Sequence, residues 1–245
     1  MKKLLRRSNF ESVEARSVHH IMKVVAGVPL RRRPWFFDNA VYGEALADVG
    51  THVVDLVQWV ALADQSLDYR RDVQLLEGRR WPLMISPQQF QQVTGEPRPD
   101  TLEYFCNNSV HYKLRGIDVK IEVLWHWEAP AGSGDVYEAS FRGTKARADI
   151  RLGDELFIVP ASPLVRRKVA ALASRWPGLS VVESAGEARI VIPDEYRVGH
   201  EAHFGQVAQQ FFAHLKSPRS APSWERPNML AKYYVTTLGS ELGKP

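Results

Sequence analysis

A single cysteine, Cys106, stands among 245 residues, so no disulfide can form within the chain. A lone thiol inside the strand-like "LEYFCNN" reads as packing rather than as a nucleophile, and so little cysteine suits a reducing, cytoplasmic setting. No uninterrupted apolar run approaches the roughly 20 residues that cross a bilayer, so no membrane span is expected. The opening "MKKLLRR" has the charge of a signal peptide, but "SNFESVEARS" stands where its apolar core would have to follow. Chemical signatures are missing too. No G-x-G-x-x-G follows a strand, and there is no P-loop, G-x-S-x-G, H-E-x-x-H or C-x-x-C. The nearest glycine cluster, Gly132-Ser133-Gly134, sits between strand candidates with no helix N-terminus to receive a phosphate. Charge excess is also small: 32 basic against 28 acidic residues leave +4. The clusters "MKKLLRR", "LRRRPW" and "RRK" belong to no nucleic-acid-binding pattern and read as solvated faces.

What is present describes a globular chain, 44% hydrophobic and 24% charged, long enough for one large domain or two small ones. Residues 10–26 place Phe10, Val13, Val18, Ile21, Val24 and Val25 at helical spacing, which predicts an amphipathic helix ended by Gly27. Pro29 and Pro34 make "PLRRRPWFFD" an extended arm. A helix over about 44–63 follows, then one or two strands in "SLDYRRDVQLLEGRRW" and a short helix at 86–94 with Pro87 in its first turn. From 101 the texture is β, with Asn107-Asn108, Arg115-Gly116, Gly143 and Gly153 as turn candidates. A helix at 163–176, the strands "LSVVES" and "ARIVIP", and helices at 199–216 and 225–242 complete the order. Consecutive strands with short turns predict an α+β fold, an open and mainly antiparallel sheet with helices packed on one face. The βαβ alternation of a doubly wound nucleotide-binding fold is not there.

One stretch carries a polar stripe. In "GEALADVGTHVVDLVQWVAL", Asp48, His52, Asp55 and Trp59 follow at spacings of four, three and four, opposite Leu46, Val49, Val53, Val57 and Val60. A carboxylate four residues from an imidazole orients it and favours its protonated form, which suits an acid/base group. The plain alternative is an amphipathic helix with a structurally bonded histidine. Metal binding by the pair would need further ligands.

The residues around the stripe sharpen it. The string D-x-G-x-H-x-x-D-x-x-x-W at Asp48, Gly50, His52, Asp55 and Trp59 resembles the motif that opens the C-terminal domain of the glucose–fructose oxidoreductase/inositol dehydrogenase (Gfo/Idh/MocA) family. "SVHHIMKVVAGVPLRRRPWFFD", "VHYKLRG" and "EAPAGSGD…FRGTKA" look like signatures of its putative oxidoreductase C-terminal domain subgroup, and the likeness spans about residues 17–240. It implies a sugar or polyol dehydrogenase using NAD or NADP, with His52 as acid/base on the reacting hydroxyl and Asp48 orienting it. Lys113, His200, His203 and, through the family's linker, Trp35 with Arg33 are further candidates for substrate contact. Trp125 and Trp127 share a sheet face, as core or subunit contacts.

The resemblance also exposes a gap. The family's N-terminal Rossmann domain, with its catalytic lysine in an E-K-P-like motif, does not precede the match, and no E-K-P occurs. Sixteen residues cannot replace a dinucleotide-binding fold of about 120–150. The expected organisation is an N-terminal helix and linker remnant at 1–27, then a substrate-binding and oligomerising domain at 28–245. Such a truncated or split chain would need a separate Rossmann-domain partner and would self-associate through the open sheet face. A non-catalytic carbohydrate-binding or scaffolding protein is the alternative, and a metal-dependent hydrolase using His52 and Asp48 a third.

Overall fold

Between Val13 and Ser17 the chain alternates with period two: Val13, Ala15 and Ser17 are buried, Glu14 and Arg16 exposed. That alternation wins over the helical spacing of Phe10, Val13, Val18 and Ile21. Residues Phe10–Met22 form strand β1, not the expected helix. In the computed structural model, which describes residues 9–25, 27–130, 132–151 and 155–244, this strand is an inner strand of a nine-stranded sheet, sixth in its order. It is hydrogen-bonded along both edges. A pattern ambiguous between two periods is settled by those partners, which no local window contains.

A minimal hairpin, Val24–Val25 with Val28–Pro29, leads into the arm and a single helical turn at Asn39–Tyr42. Helix α1 is Gly50–Ala61, shorter than expected, because residues 45–49 form a turn ahead of it. One helical turn, Tyr69–Asp72, precedes β2 (Val73–Ile85). Helix α2 (Pro87–Thr94) has Pro87 in its first turn as expected, and the Ser86–Gln89 capping box holds its start. Strands β3 (Leu102–Leu114), β4 (Ile117–Glu128), β5 (Val136–Gly143), β6 (Arg147–Arg151) and β7 (Glu155–Val159) follow. Then come helix α3 (Pro163–Ala173), β8 (Ser180–Ser184), β9 (Glu187–Val191), α4 (His200–Lys216) and α5 (Glu225–Leu242).

The sheet order is β8-β9-β7-β6-β5-β1-β4-β3-β2. Among the described residues only β1 and β4 run parallel, in register from Ser12 opposite Asp118 to Met22 opposite Glu128. The α+β expectation, mainly antiparallel with helices on one side, therefore holds. Arg115-Gly116 forms the β3–β4 turn, both with positive φ (49° and 84°). Asn107 and Asn108 are not a turn: they lie inside β3, where a register shift occurs opposite Trp81 and Pro82. Gly143 ends β5, and Gly153 lies outside the described residues.

Helix α5 sits on the helix-covered face over β2 and β3. Two glycines permit the approach: a β-carbon on Gly78 of β2 would meet Leu242 at 2.9 Å, and one on Gly239 of α5 would meet Leu46 and Val110 at 2.8 and 2.9 Å. The other face is charged and largely paired within the chain. Arg16 bonds Glu122 (3.2 Å), Arg147 and Arg151 clasp Asp149 (2.9 and 2.6 Å), and Arg189 meets Glu155 (3.1 Å). Among the described residues no helix is long and apolar enough to cross a membrane. Burial pushes the Cys106 thiol up to about 12, which suits packing rather than attack.

Two expected outcomes test this frame. Val13 is fully buried between Val119 and Phe141, so Val13→Asp should cost roughly 4 kcal/mol or more, read as a lower urea midpoint. A loss below 1 kcal/mol would contradict a central position for β1. Asp72 is the second probe. Burial opposes its ionisation, but Arg115 at 2.9 Å, the Asp68 amide and Arg71 outweigh it and hold the carboxyl at about 2. A native value below the ordinary 3.8 means that the pairing stabilises the protein above about pH 4 and is lost as pH falls toward 2. The deficit in Tm of Asp72→Asn should accordingly be full at pH 7 and shrink below pH 4.

Candidate functional site

The turn that carries Asp48 is fastened to the sheet by buried polar groups. Glu44, 8% exposed, accepts from Arg80 Nη1 at 2.6 Å and from Asn108 Nδ2 at 3.1 Å. Asn108 Oδ1 in turn accepts from the Leu46 amide at 3.1 Å. Every polar end of Asn108 is thus used, which is what a side chain 1% exposed requires. The Arg80 guanidinium also lies over the Phe105 ring, 4.2 Å from its centre. Asn39 adds a second tie, donating to the carbonyls of Phe105 (2.9 Å) and Gly43 (3.0 Å). Gly43 turns the chain at φ 91°, a conformation that favours glycine. Leu46, fully buried, then plugs the space beside Gly50, Val110 and Gly239.

Asp48 emerges from this anchored turn half-buried, ahead of α1 rather than on it. Its carbonyl accepts from Thr51 Oγ1 at 2.6 Å, which closes the turn into the helix. Its Oδ2 accepts from the Tyr42 hydroxyl at 2.9 Å. Burial first, then the Asp48 bond and charge, push the Tyr42 phenol up to about 12. His52 lies in the first turn of α1 and is exposed. Asp55 meets Lys232 of α5 at 3.6 Å, so it helps hold the two helices together, and Trp59 is 42% exposed on the same side.

Aromatic contacts join this corner to the arm. Tyr42 packs on Phe36 (4.4 Å between ring centres) and on Trp35 (5.8 Å). Arg32 spans Phe36, 4.1 Å from its ring centre, and donates to the carbonyls of His20 (3.3 Å) and Ile21 (3.4 Å) at the end of β1. Trp125 is buried against Phe36 and His19, so it belongs to the core. Beyond it, Asp135 receives His19 (3.1 Å) and Lys23, and these partners overcome burial to hold its carboxyl far below the usual range.

Of the residues singled out in the sequence, Asp48 and Trp35 are joined through Tyr42. His52 stands four residues further on and, among the described residues, makes no hydrogen bond or ion pair with Asp48. The carboxylate is therefore oriented toward Tyr42 and not, as the sequence led one to expect, toward the imidazole. Lys113 is elsewhere. It lies five residues from Asn108 along an unbroken ladder, hence on the opposite face of the sheet, where it meets Asp118 at 3.5 Å beside His111. His203 is exposed on α4, which has no buried residue among its described side chains, and the side chain of His200 lies outside the described set. Among the described residues no group of three His, Cys, Asp or Glu side chains is placed to hold a metal ion. Sequence reasoning missed Tyr42, Glu44 and Arg32. Their signal is an acid, a tyrosine and a middle arginine that the fold, not their spacing, turns inward.

The whole chain has relatives. A family model described as "Putative oxidoreductase C terminal domain" matches residues 7–244. A solved structure of a "putative oxidoreductase" from Parabacteroides merdae is 36% identical with a TM-score of 0.89, over 98% of this chain and 62% of that one. Another from Erwinia carotovora atroseptica is 14% identical with a TM-score of 0.60, over 99% of this chain and 59% of that one. Levoglucosan dehydrogenase, solved in complex with NADH, shares the fold at 13% identity and a TM-score of 0.55, over 96% of this chain and 56% of that one. The chain therefore spans less than two thirds of these relatives. No curated protein matches it in sequence.

Two measurements test the geometry. Asn108→Ala strips Glu44 and the Leu46 amide of a buried partner and should cost about 2–4 kcal/mol, seen in the thermal midpoint. In an ultraviolet titration the phenol that Tyr42→Phe removes should ionise near pH 12, and in Asp48→Asn it should ionise earlier because only burial still opposes it. An unchanged titration would mean that Asp48 does not hold Tyr42.

Proposed function

Because the chain belongs to the putative oxidoreductase C-terminal domain family, across residues 7–244, we propose that it is the substrate-binding half of an oxidoreductase acting on a sugar or polyol. The observation that carries this is the Asp48 corner: a carboxylate gripped by Tyr42 on one oxygen, with His52 exposed one turn further on. A polyol offers adjacent hydroxyl groups. Asp48, already partnered on Oδ2, keeps its other oxygen to accept from one of them, and His52 receives the proton of the hydroxyl that is oxidised. Trp35, 54% exposed beside Tyr42, supplies an apolar face for the carbon skeleton. The buried Glu44–Asn108–Arg80 ties keep the turn from moving when the ligand binds.

NAD or NADP is the electron acceptor this reading requires. The glycine cluster Gly132-Ser133-Gly134 is no helix-borne pyrophosphate site, because it precedes strand β5 and not a helix. The cofactor would come with a dinucleotide-binding domain, on a separate chain or a longer form of this one. Support comes from the relatives, which exceed this chain in length, and from levoglucosan dehydrogenase, captured with both NADH and levoglucosan.

The test joins the chain to a dinucleotide-binding domain and assays a panel of sugars and polyols with either cofactor. His52→Ala and Asp48→Ala should each lower kcat by about 100-fold or more. His52→Ala leaves the thermal midpoint in place, whereas Asp48→Ala, which removes the acceptor of the Tyr42 hydroxyl, also costs about 1 kcal/mol of stability. Full rates in both variants would overturn the assignment. Sugar binding without turnover in every combination would favour a non-catalytic carbohydrate-binding protein.

A further inference from the structure

Two half-buried arginines, Arg80 and Arg151, each hold a carboxylate: Glu44 at 2.6 Å, and Asp149 and Glu187 at 2.6 and 2.9 Å. Arg32 is half-buried too, but among the described residues it forms no ion pair. Its guanidinium carbon lies 4.1 Å from the centre of the Phe36 ring and 5.5 Å from that of Trp125. Nε and Nη2 donate to the neutral carbonyls of Ile21 and His20, at 3.4 and 3.3 Å. Nη1 donates to nothing among the described residues and is not sealed from solvent. Burial works against the charge, while Tyr42, Tyr104, Asp135 and Asp48 favour it from further off. Both acids are engaged elsewhere, Asp135 with His19 and Lys23 and Asp48 with the Tyr42 hydroxyl. A guanidinium does not shed its proton, so this one stands with its charge unbalanced.

We propose that Arg32 determines specificity at the sugar site and that the substrate is a sugar acid, its carboxylate on Arg32 and a hydroxyl on Asp48. The inference rests on the sugar-site reading and narrows it. One aromatic pair sets the two groups: Phe36 carries Arg32, and Tyr42, 4.4 Å from Phe36 between ring centres, holds Asp48 at 2.9 Å. The bonds to the end of β1 fix the guanidinium in advance, which lowers the cost of ordering it around a ligand. Its unused N–H groups suit a carboxylate, whose two oxygens accept from such a fork. One positive charge also answers one negative charge. A phosphate monoester would bring more than one, beside the acid Asp48.

Titration of the full chain with D-glucuronate, D-glucose and glucose 6-phosphate, followed by NMR, tests it. Glucuronate should bind roughly tenfold or more tighter than glucose, the gain expected of a charge-assisted pair. Arg32→Gln should weaken glucuronate at least tenfold more than glucose, and Arg32→Lys, which keeps the charge without the fork, should retain part of the preference. A merely structural Arg32 would weaken both sugars alike. Asp48→Asn should weaken both. Equal affinities, or a preference that survives Arg32→Gln, overturn the inference, and the sugar site still stands if Asp48→Asn weakens both ligands. Preference for glucose 6-phosphate overturns the carboxylate assignment. Glucuronate that needs Arg32 but ignores Asp48→Asn overturns the sugar site instead and leaves a bare anion site, while binding of neither sugar overturns both readings. The chain joined to a dinucleotide-binding domain should show the same order. A preference lost on joining would mean that an acid of that domain takes Arg32, which also overturns the inference.

Discussion

The two halves of the sheet meet only along β1. On one side it hydrogen-bonds β4, which leads to β3 and β2; on the other it hydrogen-bonds β5, which leads to β6, β7, β9 and β8. Every backbone group of a strand so enclosed needs a ladder partner, and a slip of one residue would turn Val13, Ala15 and Ser17 out to the solvated face. The arm depends on the same strand, because Arg32 is held by carbonyls at its end. Phe36 stacks on Arg32, Tyr42 on Phe36, and Asp48 on the Tyr42 hydroxyl. The candidate site therefore hangs from the sheet centre through a short series of named contacts.

A second route reaches the same turn from β2 and β3. Arg80 and Asn108 meet Glu44, four residues ahead of Asp48, in a setting with almost no water. Burying an acid with an arginine adds little stability against a well-packed apolar substitute, but removing one partner is costly. Such a network selects one geometry. Here that geometry places an acid beside the start of a helix, where polar chemistry is proposed.

Much of the architecture was legible because it is written in local chemistry. Ser86, Pro87 and Gln89 announce a helix start, and Arg115-Gly116 a tight turn; both are present. The family string drew attention to Asp48 and His52, and the linker to Trp35, which the structure sets beside the Tyr42 that bonds Asp48. Three features were not legible, each for a different reason. The first strand carries two competing periods, and only partners far along the chain choose between them. Asn107-Asn108 looks like a turn because such pairs usually serve solvent-exposed loops. Here Asn107 accepts from the Trp125 amide at 2.8 Å, and Asn108 takes the Leu46 amide, so side chains complete bonds that the ladder leaves open. Lys113 was placed near sugar hydroxyls by type alone, and strand parity turned it to the far face.

The position of β1 also bears on how the chain comes together in time. Its partners in β4 and β5 lie more than 100 residues downstream. During synthesis this strand stays without either neighbour until about 100 residues have followed it. Contacts so distant close slowly, and an unpaired apolar strand invites pairing with other chains meanwhile. The exposed alternation of Glu11, Glu14 and Arg16 puts like and unlike charges on the waiting strand, a feature that discourages such adhesion. The residues that make β1 a good centre for the sheet also make its wait a safer one.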